Sequence, residues 1–186
     1  LGVLVRRGAD FATAEDAVQE ALVRALSAWE DELPADPTGW LITVAWRAFL
    51  DMTRSVAARR DRELRFDTEP PAGAIPSADD TLRLYFLCAH PDLTSSSAVA
   101  LTLRAVGGLT TRQIAQAYLV PEPTMAQRIS RAKRTVSLAG VDRPGDVRTV
   151  MRVLYLVFNE GYSGDVDLAA EAIRLTRQLA ALVDDP

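Results

Sequence analysis

Apolar positions recur every three to four residues through most of this chain, and nowhere do they alternate over a strand's length. Between residues 14 and 29, Ala14, Ala17, Val18, Ala21, Leu22, Ala25, Leu26 and Trp29 return at helical spacing. Residues 1 to 30 therefore predict a helix, with Thr13 and Asp16 as a capping pair and a stop before Pro34. "PADPTG" reads as a loop by its Pro and Gly content. Residues 38 to 58 predict a second helix with Leu41, Val44, Ala45, Ala48 and Phe49 inward, and Trp40, Trp46, Arg47, Asp51 and Arg54 on other faces. The β-branched run Ile42, Thr43, Val44 leaves helix and strand both open for its first turns. Helical patterning resumes at Thr81 with "TLRLYFLCAH", then "SSSAVALTLRAVGG", where Gly107-Gly108 is a C-terminal stop. Past Val147, "VRTVMRVLYLVFNEGY" is apolar nearly all round, which predicts burial. "DLAAEAIRLTRQLAALV" offers it a matching stripe. The fold class is all-α.

Between these helical blocks the character shifts. Residues from about 60 to 80 trade large apolar groups for Arg, acids and Pro70, Pro71 and Pro76. That composition predicts a flexible linker. The predicted organisation is two small helical domains, 1–60 and 81–140, joined by a linker over 61–80, with a helical extension starting at 141.

Composition narrows the function classes. Of 186 residues, 48% are hydrophobic, and the net charge is −4. No apolar run approaches the roughly 20 residues of a membrane span. The start lacks a Met and a signal-peptide pattern, so the N-terminus reads as incomplete and the protein as cytoplasmic, with no membrane partner. A single cysteine, Cys88, permits no internal disulfide. Cys88 and His90 are too few to hold zinc, which takes about four ligands, so no metal is expected. No nucleophile, base and orienter set and no Gly-rich phosphate loop is visible, so neither catalysis nor a cofactor is expected. The acidic balance argues against a general polyanion binder.

One stretch runs against that balance. In "LTTRQIAQAYLVPEPTMAQRISRAKRTV", residues 109 to 136, a short helix opens at Thr110 or Thr111 and carries Ile114 and the small Ala115 inward. "LVPEP" is a turn, and Pro123 suits the first turn of a second helix. Met125 and Ile129 face the core, which leaves Thr124, Gln127, Arg128, Arg131 and Arg134 outward, with Lys133 beside them. Apolar anchors below and forked or amide donors above are what a recognition helix needs.

These residues resemble a known family. "LTLRAVGGLTTRQIAQAYLVPEPTMAQRISRAKRTV" resembles region four of the bacterial extracytoplasmic-function sigma factors. "AEDAVQEALVRAL" resembles their polymerase-binding helix in region two, and "GWLITVAWRAFLDMTRS" the region-two helix that handles the minus-ten promoter element. The three segments stand in the family's order and cover about residues 1 to 140. "FLCAHPDL" and "LYLVFNEGYS" resemble the subgroup with a C-terminal, tetratricopeptide-like helical extension. Two departures stand out: Trp46-Arg47 replaces a frequent Arg-Asn, and Leu119 replaces the usual Gly of the turn.

The resemblance implies a sigma factor that binds core RNA polymerase and directs promoter-specific initiation, and is not an enzyme. Asp16, Gln19, Glu20 and Arg24 would dock on the polymerase. Trp46, Arg47 and Arg54 would meet the minus-ten element, Trp46 by stacking on unpaired bases, with Trp40 as core. Thr111, Thr124, Gln127, Arg128, Arg131 and Arg134 would meet the minus-thirty-five element. The extension is expected to regulate activity by fixing the placement of the two DNA-reading domains, and its removal from residue 147 to leave their separate binding intact. The alternatives are a helix-turn-helix repressor or activator with a helical effector domain, and a helical scaffold that never touches DNA.

Overall fold

Asp10 and Gly8 explain how the chain starts. In the computed structural model, which describes residues 1–30, 32–60, 78–139, 145–159 and 167–183 (the backbone alone for 55–60 and 78–79), the first predicted helix is two. α1 (Gly2–Arg6) ends at Gly8, whose φ of +93° is the left-handed conformation that glycine adopts without strain. α2 (Phe11–Ala28) starts anew, with the Asp10 side chain accepting from the Thr13 amide at 3.0 Å. The cap is thus Asp10 and not the Thr13–Asp16 pair, because the Gly8 turn resets the helix start.

α2 packs along α3 (Pro37–Arg60), and α1 closes on both. Asp36 caps α3 through the Gly39 amide at 2.9 Å, and Pro37 takes the position where a missing N–H costs nothing. The β-branched run at Ile42–Val44 is helical. α2 buries its alanines, Ala14, Ala17, Ala21 and Ala25. Small side chains at this spacing let two helix axes approach closely. The larger residues of the predicted stripe do not follow: Leu22 and Leu26 stand outside that seam and stay exposed, with Val23 between them. α3 buries Ile42, Ala45, Trp46, Ala48, Phe49 and Leu50, while Leu41 and Val44 are only partly covered.

A second compact unit begins at Ala78 and extends through the C-terminal helices. It holds α4 (Ala78–Cys88), α5 (Ser95–Ala105), α6 (Thr111–Ala117), α7 (Glu122–Ala139), α8 (Val147–Asn159) and α9 (Leu168–Val183). α5 is its centre: Ala98 through Leu103 are all buried, and α4, α6, α7 and α8 lie against it. Thr94 caps α5, and Gly108 at φ +76° ends the turn after it. One apolar cluster includes Tyr85 of α4 and Ala89 just after it, Ile114 of α6, Met125 and Ile129 of α7, Val153 and Leu154 of α8, and Leu175 and Leu179 of α9. α8 and α9 thus share this core with α4–α7. α8 is not buried all round: Met151, Tyr155 and Phe158 form an exposed stripe opposite Val150, Val153, Leu154 and Val157.

All described residues in regular structure are helical, which makes the fold all-α. The predicted linker falls mostly on residues 61–77, outside the described residues. No described helix is long and apolar enough to cross a membrane.

Candidate nucleic-acid interface

Thr110 sets the geometry of the helix pair. Its hydroxyl accepts from the Gln113 amide at 3.2 Å, and the Gln113 side chain accepts from the Thr110 amide at 2.8 Å. This reciprocal capping box fixes where α6 begins. Ile114, Ala115 and Ala117 seat α6 on the core. The helix ends as the Val120 amide donates to the Ala115 carbonyl at 3.0 Å. Leu119, which stands where the family usually has Gly, takes φ +51°, a conformation that costs a side-chain-bearing residue about 1 kcal/mol or more. The departure thus keeps the left-handed turn, with its side chain 81% exposed and free of clashes.

α7 then presents two faces. Met125, Ile129, Ala132 and Val136 are buried at spacings of four, three and four residues. Thr124, Gln127, Arg131 and Arg134 are exposed and Arg128 is half-buried; Thr111, also half-buried, is the first residue of α6. No ion pair among the described residues holds Arg128, Arg131 or Arg134. The face therefore offers three guanidinium forks, an amide and a hydroxyl, in the range of donors that read base edges and grip phosphates.

On α2, Asp16 and Arg24 are exposed, and Gln19 and Glu20 are half-buried. Arg24 Nε donates to Glu20 Oε1 at 2.9 Å, and Gln19 Nε2 donates to Glu15 Oε1 at 3.3 Å. Beside them runs an exposed apolar stripe: Leu22 and Leu26, which the periodicity places on the inward face, and Val23 are 42%, 76% and 61% exposed. With Gln19 they follow the i, i+3, i+4, i+7 spacing of one helix face. The signal was present in the split between small and large apolar residues, since past its first two turns α2 buries only alanines. A contiguous exposed apolar face of this kind marks an interaction surface.

On α3, Arg47, Asp51 and Arg54 are exposed at i, i+4 and i+7, and Asp51 pairs with neither arginine among the described residues. Trp46 requires a correction. It is only 2% exposed, lies with its ring centroid 5.3 Å from that of Phe49, and has the Arg7 guanidinium 5.7 Å from its ring. A ring closed in this way presents no face to an unpaired base, so Trp46 leaves the minus-ten set. Trp40 is half-buried, edge-on to Trp29 at 5.2 Å. Cys88 is a core residue whose thiol points to the Leu101 carbonyl, and burial pushes its pKa up. That makes it a poor thiolate source.

Comparison with known proteins agrees with this geometry. Residues 1–60 match the family Sigma-70 region 2, and residues 83–136 match Sigma-70, region 4. An uncharacterised protein of Rhizobium meliloti, R00370, is 40% identical over 208 residues, covering 98% of this chain and 49% of that protein. The probable ECF RNA polymerase sigma factor SigI of Mycobacterium tuberculosis is 32% identical over 178 residues, covering 88% of this chain and 59% of SigI. SigJ of the same organism, an ECF RNA polymerase sigma factor, is 27% identical over 208 residues, covering 94% of this chain and 65% of SigJ. The chain thus spans between half and two thirds of the length of these relatives. No solved structure matches. With the two sigma-70 regions in order, one on the α2–α3 unit and one on the helix-turn-helix, and together over more than half of its length, the chain belongs to the sigma-70 family, and it is similar to ECF sigma factors within it.

Proposed function

We propose that the chain binds core RNA polymerase and directs promoter-specific transcription initiation, in the bacterial cytoplasm and with no catalytic step of its own. The observation that carries this reading is the pairing of an outward basic face on α7 with an outward apolar face on α2, each within a sigma-70 region. Asp16, Gln19, Glu20 and Arg24 border the apolar stripe and dock with it on the polymerase. Arg47 and Arg54 meet the minus-ten strand. Thr111, Thr124, Gln127, Arg128, Arg131 and Arg134 meet the minus-thirty-five element. The pair α8–α9 opens a tetratricopeptide-like C-terminal extension that regulates activity. The net charge of −4 fits a chain that meets DNA at two local patches and a protein partner elsewhere.

Titration of the purified chain against core RNA polymerase tests the reading. Saturable binding to core polymerase, together with weak binding to free promoter DNA, is the expected result. Tight sequence-specific binding by the free chain at physiological salt, without affinity for core polymerase, would establish the helix-turn-helix repressor or activator instead.

A further inference from the structure

The helix-turn-helix is not seated by its own two helices alone. Tyr85 of α4 is fully buried, and its hydroxyl donates to the Leu175 carbonyl of α9 at 2.9 Å, with Gln178 Oε1 at 3.3 Å. One turn earlier on α9, the Glu171 carboxylate is held by Arg174, with Nε to Oε2 at 2.8 Å. That carboxylate lies on the turn between α5 and α6: a Cβ placed on Gly107 would sit 3.0 Å from Glu171 Oε1. From Gly107 the chain runs in three residues to Thr110, the capping residue of α6. Leu109 is tied back on both sides, its amide to the Leu103 carbonyl at 3.1 Å and its carbonyl to Arg104 Nη1 at 3.0 Å.

We propose that α9 positions the helix-turn-helix, with Tyr85 and Glu171 as the positioning residues through which the α8–α9 pair sets the seating of α6 and α7 and so the discrimination of the minus-thirty-five element. The last clause rests on the reading of α7 as the helix that meets that element. The physical basis is that close-packed helices shift between discrete seatings and do not deform smoothly. A displacement of α9 reaches α6 by two short routes, through α4 and α5 from Tyr85, and through the Gly107 turn from Glu171. The competing account is that α9 merely fills the core, adding stability uniformly.

The test uses the full chain with core polymerase and compares Tyr85→Phe and Glu171→Gln with Arg177→Ala, an exposed change on the same helix. Two quantities are read. One is the transcript ratio from two promoters that differ only in the minus-thirty-five element. The other is hydrogen exchange under native conditions at the Ile114 amide of α6 and at the amide of Tyr118, its C-cap. In both positioning variants the ratio should fall by about threefold or more, the scale of coupling changes along a packed network. The α6 amides should exchange faster, and Arg177→Ala should change neither quantity. An unchanged ratio in Tyr85→Phe and Glu171→Gln overturns the proposal, wherever exchange has moved. If the unsubstituted chain gives no promoter-specific transcript, the proposed function fails, and the exchange measurement alone decides the coupling: faster α6 amides support it, and unmoved ones overturn it.

Discussion

Arg128 and Arg131 lie three residues apart on α7, in no ion pair among the described residues, Arg128 half-buried on the flank of the Met125–Ile129 face and Arg131 exposed beyond it. If they read base edges, alanine at either position costs about 1–3 kcal/mol at the minus-thirty-five element and relaxes its sequence preference. If they grip phosphate, the loss is equal across promoters and the salt slope falls. Promoter binding of the polymerase complex over a salt series distinguishes the two, and no effect from either change removes α7 from the DNA interface. This face was legible in the sequence because two apolar anchors four residues apart fix the rotation of a helix. Trp46 was not. A tryptophan on an amphipathic helix suits a core as well as a stacking surface, and the rotation of α3 that buries Ile42, Trp46 and Leu50 is set by its fit to the alanine seam of α2. Trp46→Ala should therefore destabilise the first unit by about 3–5 kcal/mol, read as a shift in its denaturant midpoint, while Trp46→Phe loses much less. A Trp46→Ala variant of unchanged stability would contradict the core assignment.

At the scale of elements, helices were found but their ends were set by chemistry that periodicity does not carry. Residues 1–30 have one apolar period, and only a left-handed Gly8 followed by the Asp10 cap divides α1 from α2. The outer face of α2 was misread for a related reason, since counting apolar residues ignores their size. Replacing Leu22, Val23 and Leu26 together by serine should leave the stability of the first unit within about 0.5 kcal/mol per site, as for exposed positions in general. The same change should weaken binding to core polymerase at least tenfold, as loss of an apolar interface centre does. Unchanged affinity would mean that the stripe serves another partner. α8 carries a pH dependence of its own. The Asp146 carboxylate is held below its ordinary range first by the Thr149 amide at 2.7 Å, then by the Thr149 hydroxyl at 2.8 Å. A depressed folded-state value means that this cap stabilises the protein above the ordinary carboxylate pKa of about 3.9 and that the contribution is lost as pH falls through the lower folded value. Protection from exchange at the first turn of α8, taken relative to the intrinsic amide rate at each pH, should therefore fall on acidification, and Asp146→Asn, which keeps an oxygen acceptor for the amide, should remove most of that fall.

Across the whole molecule, the order of motifs and the linker composition were readable, because each rests on local signals. How fully α4–α9 share one core was not, because it depends on long-range contacts such as Tyr85 with Leu175. That shared core argues against the expectation that cutting at residue 147 leaves the binding of both DNA-reading domains intact. Leu154, Val157, Leu168, Leu175 and Leu179 are buried in that core. At about 1.5–3 kcal/mol each, their burial together is on the order of 10 kcal/mol, comparable to the whole stability of a small domain. Deleting residues 147–186 should lower the thermal midpoint of the second unit by about 10 °C or more, and an unchanged midpoint would show that the pair only leans on that unit. Initiation itself tests the central claim most directly. Core RNA polymerase is supplied with fragments of the source genome, with and without the chain, and transcript 5′ ends are mapped. Discrete start sites should appear only with the chain and be lost when Arg128 and Arg131 are both replaced by alanine. Start sites that are the same with and without the chain would contradict that claim.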